Sequence, residues 1–305
     1  MTPLPPLCLT GASGFIGRRV TAQLAAAGAR DVTLLLRDPA RVDRGVSHPS
    51  WRLVRADLSG EGIPPDAIVP GAVVLHLAAA TGTANAAEMQ RMNVDATSRL
   101  LAAAAAAGAR HFVFVSSVSA GYADQRWAEY PQSKARAEIV VAAGGVPYTI
   151  VRPTMVFGRG SPNQQGLERL ATLAVPLLPG QGDVRAQPIH VSDIARVLLY
   201  VVALPAAVQG HITVGGPTVV TMRELYAAIR TARGLAPRTP ITLPLGALRG
   251  SLAFFGALAG SLLPVSAGQF VVFANDAVAE PPPPTLNLPV AQVSLEAMLA
   301  EPLHA

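Results

Sequence analysis

The stretch Thr10-Gly11-Ala12-Ser13-Gly14-Phe15-Ile16-Gly17 follows the apolar run Leu7-Cys8-Leu9 and opens a run of helix formers from Arg18 to Ala27. A buried strand, a glycine turn and a helix start in that order leave few folds open. Gly11 and Gly14 let the backbone approach a pyrophosphate, and Gly17 lets helix and strand pack closely. The first helical N–H groups then present the positive end of the helix dipole to an anion. The stretch predicts the opening of a dinucleotide-binding βαβ unit, with Thr10, Gly11, Ser13, Gly14, Phe15, Ile16 and Gly17 around the phosphates.

Downstream, apolar runs alternate with helical stretches. Strands are expected at 7–9, 32–36, 51–56, 73–77 and 111–115, with one long helix from 86 to 107 that Gly108 stops. This order predicts an α/β fold with a Rossmann-type, doubly wound parallel sheet over residues 1–158. A smaller substrate domain over 159–305 is partly interleaved with it, some of its segments returning to the Rossmann core. In the second half, 162–165 reads as a loop over the cofactor, and His190 with Asp193 as a turn entering a helix, a structural rather than catalytic role for His190. Thr221 and Glu224 form a capping box opening a helix over 222–233. The prolines at 281–284 predict a stiff extended segment, and 295–299 a short terminal helix.

The carboxyl ends of parallel strands are where open α/β sheets bind ligands. At the end of the second strand, Leu36 stands where an acidic residue would bond a ribose 2′-hydroxyl, and Arg37 follows. A guanidinium there pairs with a 2′-phosphate, so NADP(H) is favoured over NAD(H). Asp38 competes for the position if the register differs by two. Asp57 and Leu58 follow the third strand, where Asp57 would accept a hydrogen bond from an adenine amino group or serve as a turn residue. Leu77, Ala78 and Ala79, after His76, are small enough to let the backbone touch a cofactor. Asn93, in the long helix, is placed to bridge to these loops.

The fifth strand delivers Ser116 and Ser117, with Ser119 two residues on. Tyr130 and Lys134 are four apart and share one helical face. An ammonium beside a phenol favours phenolate and is expected to lower the tyrosine's pKa, an arrangement suited to proton transfer. Of the 24 lysines and arginines, Lys134 is the only lysine. Arginine is a poor substitute for a compact, tunable ammonium.

Charged residues make up only 14% of the chain, below the usual quarter, which points to an apolar pocket or a surface that meets lipid or a partner. The net charge of +5 is spread along the sequence without a basic run, which argues against nucleic acid. One cysteine, Cys8, excludes an intramolecular disulfide and a cysteine-rich metal site, and no metal is expected. The apolar stretch 252–265 is too short to span a bilayer and reads as buried core or as a segment lying on a membrane face. With a strand so close to the first residue no secretory leader is expected, and a cytoplasmic location is expected, with a membrane-peripheral one as the alternative.

Taken together, Gly11-Gly14-Gly17, Asp57-Leu58, His76-Leu77-Ala78-Ala79, Ser116-Ser117, Tyr130 with Lys134, and Arg152-Pro153-Thr154-Met155-Val156-Phe157-Gly158 resemble the extended short-chain dehydrogenase/reductases, including the epimerases and dehydratases. The resemblance implies that Tyr130 is the acid/base, that Lys134 binds the nicotinamide ribose and tunes Tyr130, that Ser117 orients the substrate, and that Pro153 borders the cofactor. The gap from Ser117 to Tyr130 is shorter than in typical sugar epimerases, which leaves Ser117 and Ser119 as alternatives and argues against a standard nucleotide-sugar pocket. Segments 176–180, 187–195, 214–217 and 269–280 resemble the branch containing the NADPH-binding accessory subunit of respiratory complex I. Two functions are therefore expected to compete. One is Tyr-Lys oxidoreduction or epimerisation of an apolar alcohol or carbonyl. The other is an NADPH-bound assembly or stability factor that turns nothing over and contacts a respiratory membrane complex.

Overall fold

The computed structural model describes residues 4–41, 48–60, 62–82, 84–125, 128–246 and 271–302. The chain runs β1 (Leu7–Thr10), α1 (Phe15–Ala26), β2 (Val32–Leu36), β3 (Arg52–Arg55), β4 (Val73–His76) and α2 (Ala86–Met89). A π turn over Gln90–Asp95 leads into α3 (Ala96–Ala106), β5 (His111–Val115), a 3-10 turn (Val118–Gly121), α4 (Glu129–Ala143) and β6 (Tyr148–Pro153). Then come β7 (Val156–Phe157), α5 (Pro162–Ala171), β8 (Leu177–Pro179), β9 (Arg185–Ala186), β10 (Ile189–His190), α6 (Val191–Ala203) and β11 (Gly210–Val214). The chain closes with β12 (Val220–Thr221), α7 (Met222–Ala232), β13 (Ile241–Leu243) and α8 (Leu295–Ala300).

Seven strands form one parallel sheet in the order β11-β6-β5-β4-β1-β2-β3. Every residue of β1, β2, β4 and β5 is buried, as a sheet covered on both faces requires. Alternate side chains divide between the two faces. Leu7, Leu9, Leu34, Val73, Leu75 and Val113 pack against Val20 and Leu24 of α1 and Val197, Leu198 and Val201 of α6. Cys8, Leu35, Val74, Phe112 and Phe114 pack against Leu100 and Leu101 of α3 and Ala137 and Val141 of α4. A third core, built on Phe157, Leu167, Leu178, Tyr226, Ile229 and Met298, belongs to the second half.

Two sequence expectations are corrected. The helix expected over 86–107 is interrupted: the π turn holds Asn93, because the Asn93 side chain bonds a loop outside the helix and the backbone accommodates it with one wider turn. The segment 162–165 is the first turn of α5, where Ser161 caps the helix and Pro162 occupies its first turn, a position where proline's missing N–H costs nothing. The capping box at Thr221 and Glu224 and the terminal helix are as expected. The apolar stretch 252–265 lies outside the described residues, and so do Gln269 and Phe270 at the start of the segment 269–280. Among the described residues no helix is long and apolar enough to cross a membrane.

Candidate active site

The glycine turn is shaped by contacts that exclude any side chain. Gly11 has φ +74°, and a Cβ on it would lie 2.6 Å from the Ala78 nitrogen. On Gly17 a Cβ would lie 2.0 Å from the Gly11 carbonyl oxygen. The Gly14 N–H donates to that same carbonyl at 3.0 Å, which closes the turn. Gly14 caps α1 without a side chain, so the first-turn N–H groups of α1 have no capping oxygen on them and face outward from the carboxyl edge of the sheet. These features fit a dinucleotide pyrophosphate, with Ser13 exposed and Phe15 and Ile16 half-buried on the first turn.

Beneath the turn runs a buried polar chain. Thr97 Oγ1 donates to the Asn93 carbonyl at 2.7 Å, so it accepts from His76 Nε2 at 3.0 Å. His76 Nδ1 then accepts from Thr10 Oγ1 at 2.6 Å, and Thr10 Oγ1 accepts the Ala78 N–H at 3.3 Å. Every member is satisfied with His76 neutral. Burial first, and the Lys134 charge second, push its pKa down to about 3.

Asn93 fastens the loop after β4. Its Oδ1 accepts the Ala80 N–H at 2.7 Å, and its Nδ2 donates to the Ala80 carbonyl at 3.0 Å and to Ser133 Oγ at 2.9 Å. Ser133 Oγ in turn donates to the Tyr130 carbonyl at 2.8 Å. The loop carrying Leu77, Ala78 and Ala79 is thereby tied to the first turn of α4.

On α4, Lys134 is 2% exposed. Its Nζ donates to the Val115 carbonyl at 2.7 Å, at the end of β5, and sits 4.3 Å from the Phe114 ring centroid. Burial pulls the Lys134 pKa down to about 7, against the opposing pull of Glu138. The Glu138 carboxylate is held by both Arg152 Nε and Nη2. Tyr130 lies one turn before Lys134. The sequence led to an expected fall in its pKa; instead burial raises the phenol to about 12. The ammonium is directed at the β5 carbonyl, and low-dielectric surroundings disfavour phenolate.

Ser117 Oγ and Ser119 Oγ are 2.9 Å apart, and Ser117 Oγ also accepts the Ser119 N–H. Ser116 Oγ is buried with no hydrogen-bond partner among the described residues. Pro153 ends β6 beside β11. At the other end of the site, Arg37 is exposed just past β2, close enough to Asp57 for its charge to help hold that carboxylate low. The larger cause is Ser59, whose Oγ and N–H both donate to Asp57 Oδ1 at 2.7 and 2.9 Å. Asp57 thus makes a local turn, and Arg99 Nε fixes its neighbour through the Leu58 carbonyl at 2.8 Å.

Ser133, Thr97 and the Glu138–Arg152 pair were not singled out from the sequence. Thr97 stands four residues after Asn93, and Ser133 directly before Lys134; those spacings were the only sign of them. His190 Nδ1 accepts the Ser192 N–H at 3.3 Å and caps α6, and its Nε2 lies 3.1 Å from the Glu301 carboxylate. Among the described residues no group of three or more His, Cys, Asp or Glu side chains is placed to hold a metal.

A sequence profile described as NAD(P)H-binding matches residues 11–205. The chain belongs to this NAD(P)H-binding family. Ceramide reductase of Caulobacter vibrioides is 35% identical over 199 residues, a match covering 63% of this chain and 59% of that relative's length. Among solved structures, MoeE5 in complex with UDP-glucuronic acid and NAD is 26% identical, with a TM-score of 0.63, over 78% of this chain and 84% of that one. The UDP-glucose 4-epimerase of Thermotoga maritima with UDP-glucose shares the fold at 18% identity, with a TM-score of 0.65 over 96% of each chain. The NAD(P)H-binding chain therefore has the architecture of the extended short-chain dehydrogenase/reductases.

Proposed function

We propose that the protein is an NADP(H)-preferring reductase or dehydrogenase that interconverts a carbonyl and an alcohol on an apolar substrate. The observation that carries this reading is the burial of the chain's only lysine, fixed on the β5 carbonyl one helical turn from Tyr130. The glycine turn, Leu58, the loop at Leu77, Ala78 and Ala79, Lys134 and Pro153 would hold the dinucleotide, and Arg37 its 2′-phosphate. The chemistry it supplies there is hydride donation or acceptance. Tyr130, its phenol raised further by burial, suits the reducing direction: its phenol delivers a proton to the substrate oxygen, and the donors of Lys134 not used on the β5 carbonyl would steady the phenolate left behind. Ser117, with Ser119 against it, orients that oxygen. The named activity of the Caulobacter relative supports a ceramide-like lipid carbonyl as the class to try first.

The test follows nicotinamide fluorescence of the NADPH-loaded protein with a long-chain keto-lipid, beside a Tyr130→Phe control. Consumption in the wild type alone is expected. Tight NADPH binding with no consumption in either protein would favour the competing reading, an assembly or stability factor like the complex I accessory subunit, in which the nucleotide stabilises the fold by mass action.

A further inference from the structure

Nine large apolar side chains are exposed among the described residues, and four of them, Leu173, Val175, Leu235 and Ile241, lie on two segments held side by side. Their exposures are 41%, 50%, 37% and 52%. Residues 172–175 and 234–239 are exposed throughout, yet they are firmly stapled. The buried Arg230 guanidinium donates to the Ala171 and Leu173 carbonyls at 2.7 and 3.4 Å, and to the Ala236 carbonyl at 3.0 and 2.9 Å. Arg238 Nη1 donates to the Ala174 carbonyl, and the Ile241 N–H to the Pro176 carbonyl at 2.9 Å. Desolvating a guanidinium is costly, and here it holds leucine and valine out in water, where they gain nothing.

Arg169 and Arg238 are exposed around this face. A concavity of about 610 Å³ beside it is lined by Arg169, Thr172, Arg233 and Leu235. Its acidic residue, Glu168, is neutralised by Arg233 at 2.8 Å. Apolar tips flanked by two exposed guanidinium groups, neither in an ion pair among the described residues, match an anionic lipid bilayer, with the side chains at the acyl boundary and the arginines at the phosphates.

We infer that the face formed by residues 172–175 and 235–241 docks on anionic membrane surfaces. This inference stands apart from the proposed oxidoreduction and survives its failure.

The experiment is co-sedimentation of the full chain with vesicles of phosphatidylcholine alone and of phosphatidylcholine mixed equally with phosphatidylglycerol. The wild type is expected to sediment with the mixed vesicles and to be released by salt. Combined Leu173→Ser, Val175→Ser and Leu235→Ser substitutions should weaken partitioning by at least about tenfold, with NADPH binding and melting temperature retained. Arg169→Gln, on an exposed side chain that cannot unfold the lobe, should weaken it about fivefold. Wild type that stays in the supernatant overturns the inference, and so does a triple variant that sediments as well as wild type. A wild-type dimer that the triple substitution converts to monomer also overturns it, because the face would then join two copies.

Discussion

Lys134 and Arg230 are both buried cations bonded to backbone carbonyls, and they use their donors differently. Among the described residues Lys134 makes one hydrogen bond with its three donors, and burial drags its pKa towards neutrality. Arg230 makes four, spread over three carbonyls. A buried cation saturated by the backbone is a staple. One with donors to spare, one helical turn after Tyr130 and at the end of the strand that leads to Ser116 and Ser117, is what the proposed chemistry draws on.

The strongest way to break this contrast is to remove each cation. Lys134→Met should lower turnover about a thousandfold while leaving the urea midpoint near wild type, because an expensive desolvated charge is lost with it. Arg230→Met should cost about 2–3 kcal/mol in urea unfolding, since the Ala171 and Ala236 carbonyls lose their donor, and leave turnover per folded molecule intact. Equal destabilisation by both substitutions would erase the distinction.

The helix glycines of the two regions sharpen it further. Gly17→Ala puts a methyl 2.0 Å from the Gly11 oxygen and is expected to cost about 3 kcal/mol and most of the NADPH affinity. Gly166→Ala, on α5, meets nothing within 4 Å and should raise stability by about 0.5–1 kcal/mol. Thermal melts of the pair with and without NADPH separate the two outcomes.

On the site side His76 should contribute to the pH dependence of stability, in addition to His111 at the start of β5, whose buried imidazole is pushed down to about 4. His76 has its folded pKa pushed from 6.5 to about 3, so between those values the unfolded chain binds the extra proton and stability rises with pH. The slope is about 1 kcal/mol per pH unit, lost as pH falls towards 3 and flat for this group above 6.5. A His76→Gln variant with an unchanged slope from pH 4 to 6 would locate the effect elsewhere. At the adenosine end, Arg37→Ala should weaken NADPH about tenfold and leave NADH within twofold by fluorescence titration; equal weakening would remove the 2′-phosphate assignment.

What the sequence determined by itself is what a few neighbouring residues decide. The glycine turn, the alternation that makes a parallel sheet, the four-residue spacing of Tyr130 and Lys134, and the Thr221–Glu224 cap all act over a single turn or strand, so they are legible in the chain. Ser161 and Pro162 carried a helix start of the same kind, and the loop expected there passed over it. Tertiary structure decided the rest. The π turn exists because Asn93 reaches Ala80 and Ser133, which are 13 and 40 residues away. The Tyr130 phenol is raised rather than lowered because its surroundings desolvate it while the Lys134 ammonium is committed to the Val115 carbonyl, 19 residues away in sequence. Arg230 became a staple only when the fold brought residues 171–173 to it across 57 to 59 positions. Partners and dielectric belong to the surroundings of a side chain, and those surroundings are assembled from residues remote in sequence.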